Sequence, residues 1–305
     1  MCGRFTLRVS AEGMAGEFLV MVLDPLPPRY NIAPGQAILV ILGVADPLWE
    51  PEPKKTNFSE SLVEELAEDG ALRAVAGAQT PSRADLSTEM VSAGQAVEIS
   101  GREPPIATPP GALNRQLVWM QWGFRPSGPS TVATGSLLVN LRAENAQQPR
   151  FRRLLETQRC LIPADGFYEW EKIAASRQPF FIHRKDDRPF GLAGLWKPAP
   201  PEQPWRLPEC VVLTCPANRL IRPLHDRMPA ILLPEHYSIW LNSAVTTVEQ
   251  IAAVLHPYPE ELLEIYPVSG RVNSAHYDQP DCIQRLDRPH QGRLFDPEKS
   301  EFFES

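Results

Sequence analysis

The chain has 305 residues, 43% of them hydrophobic, with 33 prolines, five cysteines and a formal net charge of −7. That is enough apolar material and length for one large domain with appendages. No apolar run reaches the roughly 18–20 residues that cross a bilayer, and an odd cysteine count without paired short spacings is not a disulfide framework, so membrane span, secreted knot, collagen and coiled coil are excluded.

The opening Met1–Ser10 lacks the apolar stretch of a secretory signal. A reducing cytoplasm is the expected compartment, with a nucleoid association if the source is bacterial. The charge is unevenly spread. Residues 43–115 hold 12 acids and six bases, and residues 279–305 hold six acids and four bases, which leaves +1 on the remainder. The remainder can therefore carry a local basic patch.

Alternation over Cys2, Arg4, Phe5, Thr6 and Leu7 opens the chain, followed by an apolar stretch over Phe18–Leu23 that Pro25-Leu-Pro-Pro28 breaks. Tyr30–Gly35 reads as a turn into a strand over Ala37–Leu42. Residues 43–115 carry eight prolines and few aromatics. Beyond a short helix over Ser61–Ala76, they cannot bury enough apolar area to offset the entropy of ordering, and they are expected to be a disordered insertion. Order resumes at Gln116–Trp122. Strands are then predicted over Ser136–Asn140, Cys160–Pro163, Phe167–Trp170, Phe180–His183, Gly191–Trp196 and Cys210–Thr214. Helical patterns cover Gln148–Leu155, Pro216–Ile221, Pro234–Leu241 and Val248–Leu255. Consecutive strands without crossover helices argue against a doubly wound parallel sheet. The expected fold is α+β and β-rich: a single domain over 1–278 with a central antiparallel-type β core and peripheral helices, interrupted by the insertion. Residues 279–305 are expected to be a disordered tail.

Four groups of residues can carry chemistry. Cys2 either simply follows Met1 or, with Met1 removed, becomes an N-terminal 1,2-aminothiol. Its amine condenses with an aldehyde to an imine, and its thiol closes that imine to a five-membered thiazolidine. The reference pKa values, ~8 for the amine and ~8.5 for the thiol, make both groups nucleophilic near neutral pH. Ala164–Trp170 places Glu169 on a strand between Tyr168 and Trp170, whose side chains point to the opposite face. In a desolvated cleft such a carboxyl is a general acid, and on an open face it is a solvated glutamate. Pro223–Pro229 holds His225 just ahead of acidic Asp226 and basic Arg227, as a proton shuttle or as a packed histidine. Asn140, Arg142 and Glu144 are expected to share one strand face, with Arg150, Arg152 and Arg153 nearby. Asn orients a nucleophile and Arg holds a phosphate; an exposed polar strand face is the other reading. No zinc spacing, phosphate loop, dinucleotide fingerprint or nucleophile-elbow serine is present, and no metal or cofactor is expected.

Seven motifs in order resemble the SOS response-associated peptidase (SRAP) family, the abasic-site processing proteins. They are Met1–Thr6, Arg29–Gly35, Trp122–Pro126, Asn140–Glu144, Pro163–Trp170, Ala193–Trp196 and His225–Pro229. The resemblance covers residues 1–42 and roughly 116–278. It implies a β-rich α+β fold with a mature N-terminal Cys2 in a cleft for single-stranded DNA, and a covalent thiazolidine link to abasic sites. It implies that Glu169 transfers protons, Asn140 orients Cys2 and His225 hydrogen-bonds the sugar oxygen. It places Arg4, Arg142 and Arg227 on phosphates, which give sequence-independent affinity, and offers Trp122 and Trp170 as base-stacking or core residues. Leu141 and Asn145 stand where the family pattern has a small residue and Thr, and the insertion is unusually long.

The tail adds an independent motif. Gln291, Leu294 and Phe295 have the spacing of bacterial sliding-clamp-binding peptides, which makes the clamp an expected partner beside abasic-site DNA. No membrane partner is expected, and nothing suggests an obligate oligomer, so a monomer is. Two other function classes compete with abasic-site crosslinking: a thiol peptidase using Cys2 as an acyl nucleophile, and a non-catalytic DNA-binding adaptor recruited by its tail.

Overall fold

The computed structural model describes residues 2–22, 26–43, 115–125, 137–173, 176–245 and 247–287. Residues 44–114 of the insertion, with the helix expected over Ser61–Ala76, lie outside the described residues, as do Gln291, Leu294 and Phe295, while the insertion's end residues Gly43 and Arg115 belong to strands. The described elements all belong to one unit built from residues 1–48 and 113–305.

The first half contributes β1 (Phe5–Leu7), α1 (Ala11–Phe18), β2 (Arg29–Ile32), β3 (Ala37–Gly43) and β4 (Arg115–Trp122). The short helix α1 was not expected from the sequence. Ser10 caps it, its hydroxyl accepting from the Gly13 amide, and Leu19 ends it in the left-handed conformation. Next come β5 (Asn140–Arg142), α2 (Ala143–Ala146), α3 (Pro149–Thr157), β6 (Arg159–Ala164), β7 (Gly166–Ile173), β8 (Ser176–Arg184), β9 (Phe190–Lys197) and β10 (Glu209–Pro216). The chain continues through β11 (Arg227–Pro229), β12 (Ile231–Leu232), α4 (Tyr237–Leu241), α5 (Val248–Ala252) and β13 (Leu263–Pro267).

Two sheets result. The smaller has the order β13-β8-β7-β1-β2. In the larger, β4-β3-β6-β9-β10 returns on itself because β10 pairs with both β9 and β4, making a five-stranded ring. Strands β6, β9 and β10 are buried almost end to end rather than in alternation, the pattern of strands covered on both faces. The β6–β7 run turns from the larger sheet into the smaller at Asp165, and β8–β9 returns, so the two hairpin partners cross between sheets together.

The β-rich α+β expectation holds, with differences. Pairing is mostly antiparallel, but β10 runs parallel to β4 and to β5, which follow one another along the same edge. The strand expected over Ser136–Asn140 begins only at Asn140; Leu138 instead forms an isolated bridge with Phe124. Pro216–Ile221, read as helical, is the end of β10 and a turn. Asn218 explains it: its side chain accepts from the Ile221 amide at 3.0 Å and donates to the Tyr258 carbonyl at 2.8 Å, a local alternative to helical bonding. Order also passes the boundary expected at 278. A 3-10 turn at Pro280–Ile283 buries Cys282 against Tyr168, Phe181, Val268 and Val272, and the Leu286 amide donates to the Pro267 carbonyl at 3.0 Å.

Candidate active site

Cys2 stands just before β1, and β1 is fixed on both sides. Phe5 pairs with Ile32 of β2 and with Phe167 of β7. Asp165 secures β1 from the corner between the sheets. Its carboxylate accepts from the Thr6 hydroxyl at 2.5 Å, the Arg8 amide at 2.5 Å and Arg8 Nε at 3.0 Å, and its own amide donates to the Thr6 carbonyl at 3.0 Å. The Asp165-Gly166 dipeptide signalled a turn; its role in holding the amino-terminal strand emerges only in three dimensions. Gly166 is required there, because a Cβ would come within 2.1 Å of the Phe181 ring.

Cys2 is fully buried. Its carbonyl accepts from Asn140 Nδ2 at 2.7 Å, and its thiol lies 3.6 Å from the Arg4 carbonyl. Burial pushes the thiol well above its ordinary range, and the Glu169 carboxylate pushes it further; the charge of the chain's amino terminus opposes both. Cys2 is therefore a neutral thiol at physiological pH.

Glu169 sits on β7 opposite Phe180, at 2% exposure. Burial raises its carboxyl to about 7; the amino terminus works against the shift and Asp226 adds to it. The strand alternation expected here is found. Tyr168 is buried and donates to the Tyr30 carbonyl at 2.7 Å, while half-buried Trp170 donates through Nε1 to Asn273 Oδ1 at 2.7 Å.

His225 comes from the turn between β10 and β11. Its own amide donates to the Ile221 carbonyl at 3.1 Å, and the Ala217 amide donates to the Asp226 carbonyl at 3.0 Å. His225 Nδ1 accepts from the Arg227 amide at 2.9 Å and lies 2.8 Å from Asp226 Oδ1. One ring nitrogen offers a lone pair or a proton, never both. The amide bond is made only when the neutral ring carries its proton on Nε2, and the contact with Asp226 becomes a hydrogen bond only when Nδ1 is protonated.

The other expected site residues separate into two groups. Arg142 ends β5 exposed, and Arg4 is half-buried beside Cys2, with Nη1 donating to the Gly3 carbonyl at 2.8 Å. Burial lowers the Arg4 guanidinium pKa. Arg227 is 8% exposed and engaged. Glu144 takes both prongs of its guanidinium at 2.8 Å, and the Thr214 carbonyl accepts at 2.5 Å. Glu144 itself lies on α2 rather than on the strand face expected to carry it with Asn140 and Arg142. Trp122 is fully buried on the same side of β4 as Met120, meets Phe5 edge-on at 5.0 Å and donates to the Val139 carbonyl at 3.0 Å. With no free ring face it is a core residue, which removes it from the base-stacking set. Among the described residues, no cluster of three or more His, Cys, Asp or Glu is arranged to hold a metal, and no helix is long and apolar enough to cross a membrane.

Comparison with known proteins places the chain in a family. The chain is 36% identical over 288 residues to the abasic site processing protein YoaM of Bacillus subtilis, covering 93% of this chain and 97% of that one. It is 30% identical to the abasic site processing protein YedK of Escherichia coli (53% of this chain, 72% of that one) and 28% identical to the abasic site processing protein HMCES of Xenopus tropicalis (56% and 58%). A crystal structure of a Bordetella bronchiseptica protein shares the fold at 20% identity with a TM-score of 0.57, covering 88% of this chain and all of that one. The family model for SOS response associated peptidase (SRAP) matches residues 1–275, and with the full-length similarity to YoaM it establishes that the chain belongs to the SRAP family.

Proposed function

We propose that this protein processes abasic sites in single-stranded DNA by trapping them covalently on Cys2 once Met1 is removed. The observation that carries this reading is a buried, neutral Cys2 thiol whose main chain Asn140 holds at 2.7 Å and whose electrostatic neighbour is the Glu169 carboxyl, raised to about 7. The names of the relatives, all abasic site processing proteins, support the substrate class.

The chemistry follows from those groups. The ring-opened abasic sugar exposes an aldehyde, and the amine of a mature Cys2 attacks its carbon. Glu169, as the carboxylic acid, protonates the departing hydroxyl, which leaves as water and gives an iminium. The Cys2 sulfur then adds to the iminium carbon, and its proton returns to the Glu169 carboxylate. Aldehyde plus aminothiol becomes thiazolidine plus water, with Glu169 regenerated. A carboxyl that titrates near 7 donates in one step and accepts in the next. His225, with its proton on Nε2, is a donor for the sugar oxygen, and exposed Arg142 and half-buried Arg4 are the phosphate contacts.

The test uses protein whose intact mass shows Met1 removed, incubated with a single-stranded oligonucleotide carrying one abasic site and run on a denaturing gel. The wild type is expected to give a heat-stable band shifted by one protein mass, and Cys2→Ala is expected to give none. A wild-type chain with a free Cys2 and no shifted band would sink the proposal.

A further inference from the structure

The pair between Glu144 and Arg227 joins the two halves of the site. Glu144 lies in the first turn of α2, directly after the strand that carries Asn140; Arg227 opens β11, two residues after His225. Both guanidinium prongs meet the carboxylate at 2.8 Å, and Nη2 also reaches the Thr214 carbonyl of β10 at 2.5 Å. Such a two-pronged link fixes direction as well as distance. It anchors the residue whose peptide N–H donates to His225 Nδ1 at 2.9 Å.

We propose that Glu144 is a positioning residue for His225. By holding Arg227 it keeps that peptide N–H on Nδ1 and so keeps the imidazole proton on Nε2, the nitrogen that then faces the substrate oxygen as a donor. Asp226 pulls the other way, since its Oδ1, 2.8 Å from Nδ1, favours a proton there. Arg142 also acts on Glu144, and Cys215 interacts with both partners. Arg227 holds the Glu144 carboxyl below the usual carboxylate range, so the link is charged at neutral pH. The kinetic part of the proposal rests on the function proposed above; the tautomer part does not.

The experiment is a long-range proton–nitrogen NMR spectrum of the full chain labelled with 15N-histidine at pH 7.5, with His225 assigned by its loss in His225→Gln. The wild type is expected to show a single Nε2–H pattern for His225. Glu144→Gln is expected to mix the two tautomers and to slow crosslinking about five-fold, the factor that one weakened hydrogen bond carries. Glu156→Gln, which removes the same charge from an exposed pair with Arg152 on α3, is expected to leave both readouts unchanged. Asp226→Asn is expected to keep or sharpen the Nε2–H pattern. If Glu144→Gln unfolds by circular dichroism, Glu144→Asp, which draws the charge back by one methylene, carries the same expectation. An Nδ1–H pattern in the wild type, or a wild-type pattern in the folded Glu144 variant, overturns the proposal. A wild type that shows the Nε2–H pattern, loses it in Glu144→Gln and never crosslinks supports the positioning role and defeats the proposed function alone.

Discussion

Replacing Glu169 by Gln separates the chemical role of this carboxyl from its effect on the fold. Glu169 is 2% exposed and titrates near 7 instead of its ordinary 4.5. Because the folded value is the higher one, the native state retains a proton that the unfolded chain has already lost. The effect is absent well below pH 4.5, grows between 4.5 and 7, and is complete above 7, where the buried charge destabilises the native state. Linkage gives a penalty of about 1 kcal/mol at pH 5 and about 3 kcal/mol at pH 8.5. Gln keeps the shape and cannot ionise, so Glu169→Gln should melt above the wild type, and by more at pH 8.5 than at pH 5. For a domain of this size the extra margin is roughly 4–8 °C. The same variant should crosslink about 100-fold more slowly, since a positioned acid or base contributes that much or more. Differential scanning fluorimetry at the two pH values and the gel assay read the two effects. A stability difference that does not change with pH would falsify the claim that this carboxyl titrates near neutrality, and wild-type crosslinking by Glu169→Gln would remove its role in proton transfer.

Three further perturbations test other parts of the argument. Gly166→Ala forces a methyl against the buried Phe181 ring, 2.1 Å away, and should cost about 2 kcal/mol or more in urea denaturation; an unchanged midpoint would mean that the corner yields freely. Arg159, 5% exposed, donates to the carbonyls of Trp240, Leu155, Glu156, Asn242 and Val245. Arg159→Lys cannot reproduce that fork and should lose about 2–4 kcal/mol, measured by the same denaturation. Arg142→Ala should lower the slope of log affinity against log salt by about 0.7, the share of one phosphate on a single strand. Fluorescence anisotropy with a Cys2→Ala background measures it, and an unchanged slope would take Arg142 off the DNA path.

Much of the fold was legible locally. The strands at Ala37–Gly43, Arg159–Ala164, Gly166–Ile173 and Phe190–Lys197 announce themselves as runs of apolar and aromatic residues bounded by turn residues. Where the reading departs from the structure, a non-local partner or a side chain competing with the backbone explains it. Asn218 turns a helical-looking stretch into a loop. Residues 280–287 look like polar tail, yet Cys282 finds a pocket against Tyr168 and Phe181. Trp122 was open to stacking on a base or filling the core, and the inward face of β4 decides for the core. Arg227 reads as a phosphate ligand in the sequence, and the structure adds that Glu144, 83 residues away, takes both of its prongs.

The sequence by itself determined which reactive groups exist and their local order: a Cys2 next to Met1, a strand that sets Glu169 opposite its aromatic neighbours, and a turn that presents His225. Those follow from residue type and from the two-residue period of a strand, which act over a few positions. Only the tertiary structure decided what those groups can do. Asn140 reaches Cys2 across 138 residues, and Asp165 holds Thr6 across 159. The raised carboxyl of Glu169, the neutral thiol of Cys2 and the proton position on His225 depend on burial and on such distant partners. The free energy of a charge or a proton is set by the surroundings that folding assembles, and no stretch of neighbouring residues contains them.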